Sequence, residues 1–279
     1  MYPILFKIGA LEIRSYGVAL ALSFLFGIYF SMRRARRQKV DPNLIMDLSV
    51  ILIISAILGS RLLYVLFHLD EFRGHWLDTF NPFQSDGQIG LAGLTVMGGI
   101  ILCFISAAVY LTIKKQSFYI IADIMIPAVG FGIFLTRIGC FLNGCCFGLP
   151  CDAHHAFCVT FPHNSPAGAV FPGQALIPAQ LYSSLYGLMI FIVLLVIERW
   201  KKFDGFLFAV YLILEGMSRF TVDMVRYYEE SMVLVRAGGF SLSVNQGISL
   251  LFVAWGIIFL YYRYMKLKKT ASGKINHRT

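Results

Sequence analysis

Apolar residues run along this chain in blocks of about twenty, each long enough to carry a helix across roughly 30 Å of hydrocarbon. The pattern predicts seven spans, at 15–32, 44–68, 89–113, 118–143, 178–198, 204–225 and 245–266. Between them lie the basic stretch RRARRQKVDPN, a polar loop at 69–88, the turn KKQS, a long loop at 144–177, the turn RWKKF and a segment at 226–244. No polar block remains that could fold as a soluble core, and no internal repeat or low-complexity stretch is visible. The expectation is an all-α integral membrane protein, one polytopic domain over residues 1–279 that ends in a basic tail at 267–279.

Composition agrees, since the 279 residues are 58% hydrophobic and only 14% charged, far from the balance of soluble domains. A net charge of +9 raises nucleic acid as a partner, but no basic face on a soluble fold and no binding module is present, so nucleic acid is excluded. In a membrane protein such an excess reports orientation, because Lys and Arg collect in cytoplasmic loops. Alternate loops place fourteen basic residues on one side and five on the other. That asymmetry puts the N-terminus outside, the C-terminus in the cytoplasm and the loops 69–88 and 144–177 outside. The opening MYPILFKIGALEIRSYG has no basic region, apolar core and cleavage site in the order of a secretory signal, so insertion is expected to rely on uncleaved helices.

Three arginines, Arg61, Arg137 and Arg219, fall inside spans. With this orientation spans 2, 4 and 6 run outward, and each arginine lies past the middle, in the outer half of the bilayer. An arginine there costs roughly 2.5–3.5 kcal/mol on insertion scales, so it faces the bundle interior and is paired or functional. An internal salt bridge is the plain structural reading, and it weighs most for Arg61. Glu215, Arg219 and Asp223 form one stripe at i, i+4 and i+8, which Arg226 extends. Arg137 has no acidic residue within a helical turn and is followed by Gly139, Asn143, Gly144 and Gly148, which let backbone approach a bound group closely. A guanidinium fork matches phosphate oxygens, so these residues are expected to form a lipid-phosphate pocket open to the outer leaflet. His68, Tyr64 and Tyr182 read as interfacial residues.

Five of the six cysteines fall between Cys140 and Cys158, with His154 and His155 among them. Disulfides that pin the outer loop, a metal site, buried free thiols and thiol chemistry all remain open. The spacing lacks the paired C-x-x-C of common zinc sites, and the outer compartment permits disulfides. Disulfides are therefore favoured, with no metal and no cofactor assigned. Cys103 reads as packing.

Along nearly its whole length the chain resembles the prolipoprotein diacylglyceryl transferases of bacterial membranes. The residues that carry the resemblance are SYGVALALSF with Tyr16 and Gly17, GSRLLYVLFH with Arg61 and Tyr64, and LTVMGGIILC with Gly98 and Gly99. TRIGCFLNGCCFG, with Arg137, Gly139, Asn143, Gly144 and Gly148, resembles the family signature. IPAQLYSSLYG with Pro178, Gln180 and Tyr182, and SRFTVDMVR with Arg219, Asp223 and Arg226, follow in order. The chain departs from the family at Met97, where a histidine is common, at Cys140 and Cys145, where an asparagine and a glutamate are usual, and at Glu215, where a tyrosine is common.

The resemblance implies a multi-pass enzyme of the bacterial inner membrane. It would move diacylglyceryl from phosphatidylglycerol to the lipobox cysteine thiol of a preprolipoprotein signal peptide, releasing glycerol phosphate. Arg137, Asn143, Gly139, Gly148, Arg61, Gln180 and Arg226 would then bind the phospholipid, with Arg219, Tyr16 and Asp223 as the catalytic candidates. Asp223 is equally a structural partner for Arg219 or Arg226. Two other classes compete: an anionic-lipid transporter, which repeats and broken helices would favour, and a redox or metal-binding membrane protein built on the cysteine loop.

Overall fold

The computed structural model describes residues 2–8, 11–70, 95–151, 157–228, 233–237 and 240–276. A helix falls on each predicted block: α1 (Ser15–Arg37), α2 (Pro42–Phe67), α3 (Val96–Ile113), α4 (Phe118–Asn143), α6 (Ala179–Ile197), α7 (Phe206–Asp223) and α8 (Val244–Asn276). A short α5 (Pro166–Val170) lies between α4 and α6. Five of these helices, α1, α2, α4, α6 and α8, are long and apolar enough to cross a membrane, and Met97–Ile113 is a shorter apolar helix. Three charges, Glu215, Arg219 and Asp223, interrupt the 18 residues of α7. Residues 89–94 of the third block, and 71–88 of the loop before it, lie outside the described residues. The last helix continues to Asn276 and takes in residues expected as a tail.

The apolar blocks did not announce three two-stranded antiparallel hairpins: β1 (Ile4–Ile8) with β2 (Leu11–Arg14), β3 (Val159–Thr160) with β4 (Ala175–Leu176), and β5 (Val233–Ala237) with β6 (Phe240–Ser243). LEIR alternates apolar and charged residues, the period of a strand, and the register sets Lys7 opposite Glu12 with an ion pair of 2.6 Å. Ser15 closes that hairpin by donating its N–H to Pro3 O at 3.0 Å, at the point where α1 begins.

The chain forms two compact units, Ser31–Ile121 and the combination of Met1–Phe30 with Ala122–Thr279. In the first of these α2 packs against α3. Asp41 caps α2 by accepting from Asn43 N at 2.9 Å, and Pro42 starts its first turn. Gly59 and Gly98 let the two backbones touch, since a β-carbon on either would collide with the other's carbonyl. Hydrogen bonds join the same helices, Ser55 Oγ to Ser106 Oγ at 2.8 Å and Cys103 Sγ to Leu52 O at 3.2 Å. Arg61 is 2% exposed, and its guanidinium lies 5.7 Å from the centre of the Tyr64 ring.

In the other unit α7 packs on α8 and on α6. Gly187 of α6 meets the α4 backbone so closely that a β-carbon would stand 2.9 Å from Gly130 O. Phe26, Phe131 and Phe191 bring rings of α1, α4 and α6 together. Leu250, Leu251, Trp255 and Ile258 of α8 face outward, the surface that hydrocarbon rather than water would solvate.

Asp123 is the most consequential buried charge in this unit. It is fully buried and accepts from Gly205 N at 2.8 Å and Phe208 N at 2.9 Å, two amides at the N-terminus of α7 that have no partner within their helix. Lys201 Nζ stands 3.1 Å away. Asp123→Ala removes the acceptor for both amides and one of the two carboxylates beside Lys201, the other being Asp204 at 3.3 Å, and should destabilise the protein by roughly 2–3 kcal/mol. Thermal unfolding in detergent should show a lower midpoint for Asp123→Ala and an intermediate one for Asp123→Asn, which keeps one acceptor oxygen.

Candidate active site

The end of α4 and the turn after it organise the candidate site. Asn143 is the last helical residue. Gly144 follows at φ +74° and Cys146 at φ +60°, so the chain reverses sharply. Glycine adopts the first angle at no steric cost; a residue with a β-carbon rarely adopts the second.

Beyond this turn the backbone becomes the middle strand of a small three-segment ladder. Gly148 N donates to Ile177 O at 2.9 Å and Ile177 N to Leu149 O at 3.0 Å, while on the other flank Leu149 N donates to Val225 O at 2.9 Å and Tyr227 N to Phe147 O at 3.2 Å. Any β-carbon at 148 would lie 2.6 Å from Ile177 O and 2.7 Å from Val225 O. Close approach, more than conformational freedom, explains this glycine. The ladder draws the start of α6, with Gln180, and the segment after α7, with Arg226, to the signature turn. Phe147, Phe161, Ala167 and Leu176 form a buried core beneath it, so described residues of the 144–177 loop make a packed cap.

Gln180 is fully buried and donates from Nε2 to Cys145 O at 2.8 Å. Its Oε1 has no hydrogen-bond partner among the described residues, and neither has the buried Nε of Arg226. Orphaned buried polar atoms cost about 1–3 kcal/mol each unless something fills them. Arg226 and Arg137 both act electrostatically on the Cys146 sulfur. Hydrogen bonds from Cys140 and Cys145, and then these two guanidiniums, hold the Cys146 thiol well below its ordinary pKa.

Arg137 was expected to lack a counter-charge. Glu215 of α7 is in fact an electrostatic neighbour of both Arg219 and Arg137, a relation between distant segments that helical spacing does not reveal. Arg219 Nε lies 3.8 Å from Asp223 Oδ1. Asp223 also accepts from Tyr228 Oη at 2.7 Å and from Ser243 Oγ at 3.5 Å. Burial, and donation of its hydroxyl to Asp223, raise the Tyr228 pKa. Tyr228 and Ser243 lie in irregular or strand segments without a helical period, and no sequence signal marked them.

Gly139 admits α1, since a β-carbon there would stand 2.6 Å from Ala19 Cβ and 3.2 Å from Tyr16 Cα. Tyr16 and Asn143 line a cavity of about 550 Å³ whose wall also includes Glu12, Arg14 and Gly17. Glu12 is held below the usual carboxylate range by its hydrogen bond from Lys7. The structure thus assembles Arg137, Gly139, Asn143, Gly148, Gln180, Arg219, Asp223, Arg226 and Tyr16 within one unit. Arg61 lies on α2 in the other unit, as does Met97 on α3.

Of the cysteines, Cys151 and Cys158 form a disulfide within the 144–177 loop, one of the cysteine states the sequence left open. Cys140, Cys145 and Cys146 are free. His154 and His155 lie outside the described residues.

The family model described as prolipoprotein diacylglyceryl transferase matches residues 3–262. The chain belongs to the prolipoprotein diacylglyceryl transferase family. Among its relatives, a protein of Prochlorococcus marinus named phosphatidylglycerol–prolipoprotein diacylglyceryl transferase is 30% identical over 95% of this chain and 91% of its own length. Proteins of the same name from Thermosynechococcus vestitus and Clostridium botulinum are each 30% identical, covering 92% and 96% of this chain and 92% and 100% of their own lengths. Membership of this transferase family disfavours the transporter and redox alternatives.

Gly148→Ala should force the ladder apart and destabilise the cap by roughly 1–3 kcal/mol. Limited proteolysis within 144–177 should quicken in this variant and stay unchanged in Gly27→Ala, where an added β-carbon meets nothing within 4 Å.

Proposed function

We infer that this chain is a multi-pass membrane transferase that moves the diacylglyceryl group of phosphatidylglycerol onto the cysteine thiol of a prolipoprotein. The observation that carries the chemistry is the pair of guanidiniums at the signature turn. Arg137 and Arg226 act on one point, Cys146, and Arg226 keeps a buried donor without an acceptor. An anion with several oxygens satisfies such a pair, and the phosphodiester of a phospholipid is an anion that reaches this depth. Gln180 Oε1, an acceptor in want of a donor, suits a glycerol hydroxyl of the same headgroup.

In this reading the lipobox thiol loses its proton and its sulfur attacks the diacylglycerol carbon that bears the phosphate ester. A C–S bond forms as the C–O bond breaks, and glycerol phosphate leaves with the electron pair. Arg137, Arg219 and Arg226 stabilise the charge that gathers on the departing phosphate. Asp223 holds Arg219 in place, while Tyr16, at the cavity wall, faces the incoming thiol and is the candidate to relay its proton. Asn143, Gly139 and Gly148 shape the pocket. The proposal extends to seven spans, with the N-terminus outside, in the bacterial inner membrane, where the site opens to the outer leaflet and the acceptor is a signal peptide carrying a lipobox cysteine. The fourteen-to-five division of basic residues supports that orientation.

Arg137→Ala and Arg226→Ala should each lower transfer of labelled diacylglyceryl to a lipobox peptide by about 10²-fold or more, with protein still accumulating in the membrane. Arg137→Lys should recover little, because an ammonium cannot reproduce the bidentate fork. Turnover near wild type in both alanine variants would refute the phosphate clamp.

A further inference from the structure

The transfer reaction uses the acceptor's thiol and leaves the protein's own four free thiols unemployed, three of them close together. Cys140, in the last turns of α4, and Cys145 and Cys146, in the turn beyond it, bring three Sγ atoms within 4.8 Å of one another. All three are free; Cys140 is buried and the other two half-buried. Sulfurs bound to one zinc at about 2.3 Å stand roughly 4 Å apart, so closure onto an ion asks for only a small contraction.

The backbone holds this convergence in place. Cys145 N donates to Cys140 O at 3.1 Å, Gln180 anchors Cys145 O from α6, and Cys146 keeps its positive φ. A residue with a β-carbon is maintained at such an angle when the surroundings over-determine it. The setting is also suited to anionic sulfur. The charges of Arg226 and Arg137 both reach the Cys146 sulfur, so two cations stand near the three converging sulfurs. A disulfide would employ two of the sulfurs and strand the third, whereas an ion employs all of them. Thiolate sets of this kind select soft, thiophilic cations over Mg²⁺ or Ca²⁺.

We propose that Cys140, Cys145 and Cys146 form a three-thiolate binding site for a thiophilic cation of the Zn²⁺ class, with Arg137 and Arg226 offsetting the thiolate charge. Each ion bound displaces up to three S–H protons into solution. The site stands independently of the transferase reading, since its evidence is the geometry of sulfur.

The test uses the full-length protein purified in detergent without oxygen. Co²⁺ should bind in one equivalent with sulfur-to-metal charge-transfer absorption, and Zn²⁺ should displace it. Zn²⁺ should also protect Cys140, Cys145 and Cys146, but not Cys103, from alkylation mapped by peptide mass spectrometry, a measurement that needs no variant. Cys140→Ser, Cys145→Ser and Cys146→Ser should each weaken Zn²⁺ binding by about tenfold or more, whereas Cys103→Ser and the double change Cys151→Ser with Cys158→Ser should leave it intact. Absence of the charge-transfer band in the wild-type protein, its survival in Cys146→Ser, or a disulfide joining two of the three cysteines in the anaerobic protein would overturn the proposal.

Discussion

Backbone amides and carbonyls near hydrocarbon have no water to turn to and must find partners within the chain. At the end of α4 that requirement is met by setting Phe147–Leu149 between two other segments, 175–177 and 225–227, with hydrogen bonds on both flanks of Gly148. The rest of the site follows from this ladder. It brings α6 with Gln180, and the segment after α7 with Arg226, to the turn that carries Cys145 and Cys146. It also ties the 144–177 cap, through its own apolar core, to the membrane helices beneath.

The same rule of internal satisfaction separates structural charges from functional ones. Asp123 is saturated by two helix N-terminal amides and Lys201. Asp223 is engaged by Arg219, Tyr228 and Ser243, which makes it a holder of Arg219 more readily than a free base. Among the described residues, the buried side-chain atoms left without a partner are Gln180 Oε1 and Arg226 Nε, an acceptor and a donor flanking one turn.

The departures from the family pattern also acquire a physical meaning. Cys140 and Cys145 stand where an asparagine and a glutamate are usual, and with Cys146 they place soft sulfur beside the arginines in exchange for hard oxygen and amide groups. Met97 is half exposed on α3 and its thioether is no proton acceptor, whereas Tyr16 lines the cavity itself.

Helix positions were legible along the chain because burial in hydrocarbon imposes a length and a polarity on every span: the block predicted at 118–143 is α4 to the residue. Arg137 and Arg219 were legible as candidates because charge in an apolar block is expensive enough to demand a reason. The short hairpins escaped notice, since ILFKI and LEIR are segments of four or five residues beside twenty-residue blocks. So did Glu215 as a neighbour of Arg137, Tyr228 and Ser243 as donors to Asp223, and the meeting of three sulfurs, because each depends on which turns of distant segments face one another. The sequence by itself determined the helices and the charges they carry, since both follow from local hydropathy and local spacing. Only the tertiary structure decided which charges pair, which stay open to a ligand and which thiols converge, because those outcomes rest on long-range hydrogen bonds and backbone contacts that no local pattern encodes.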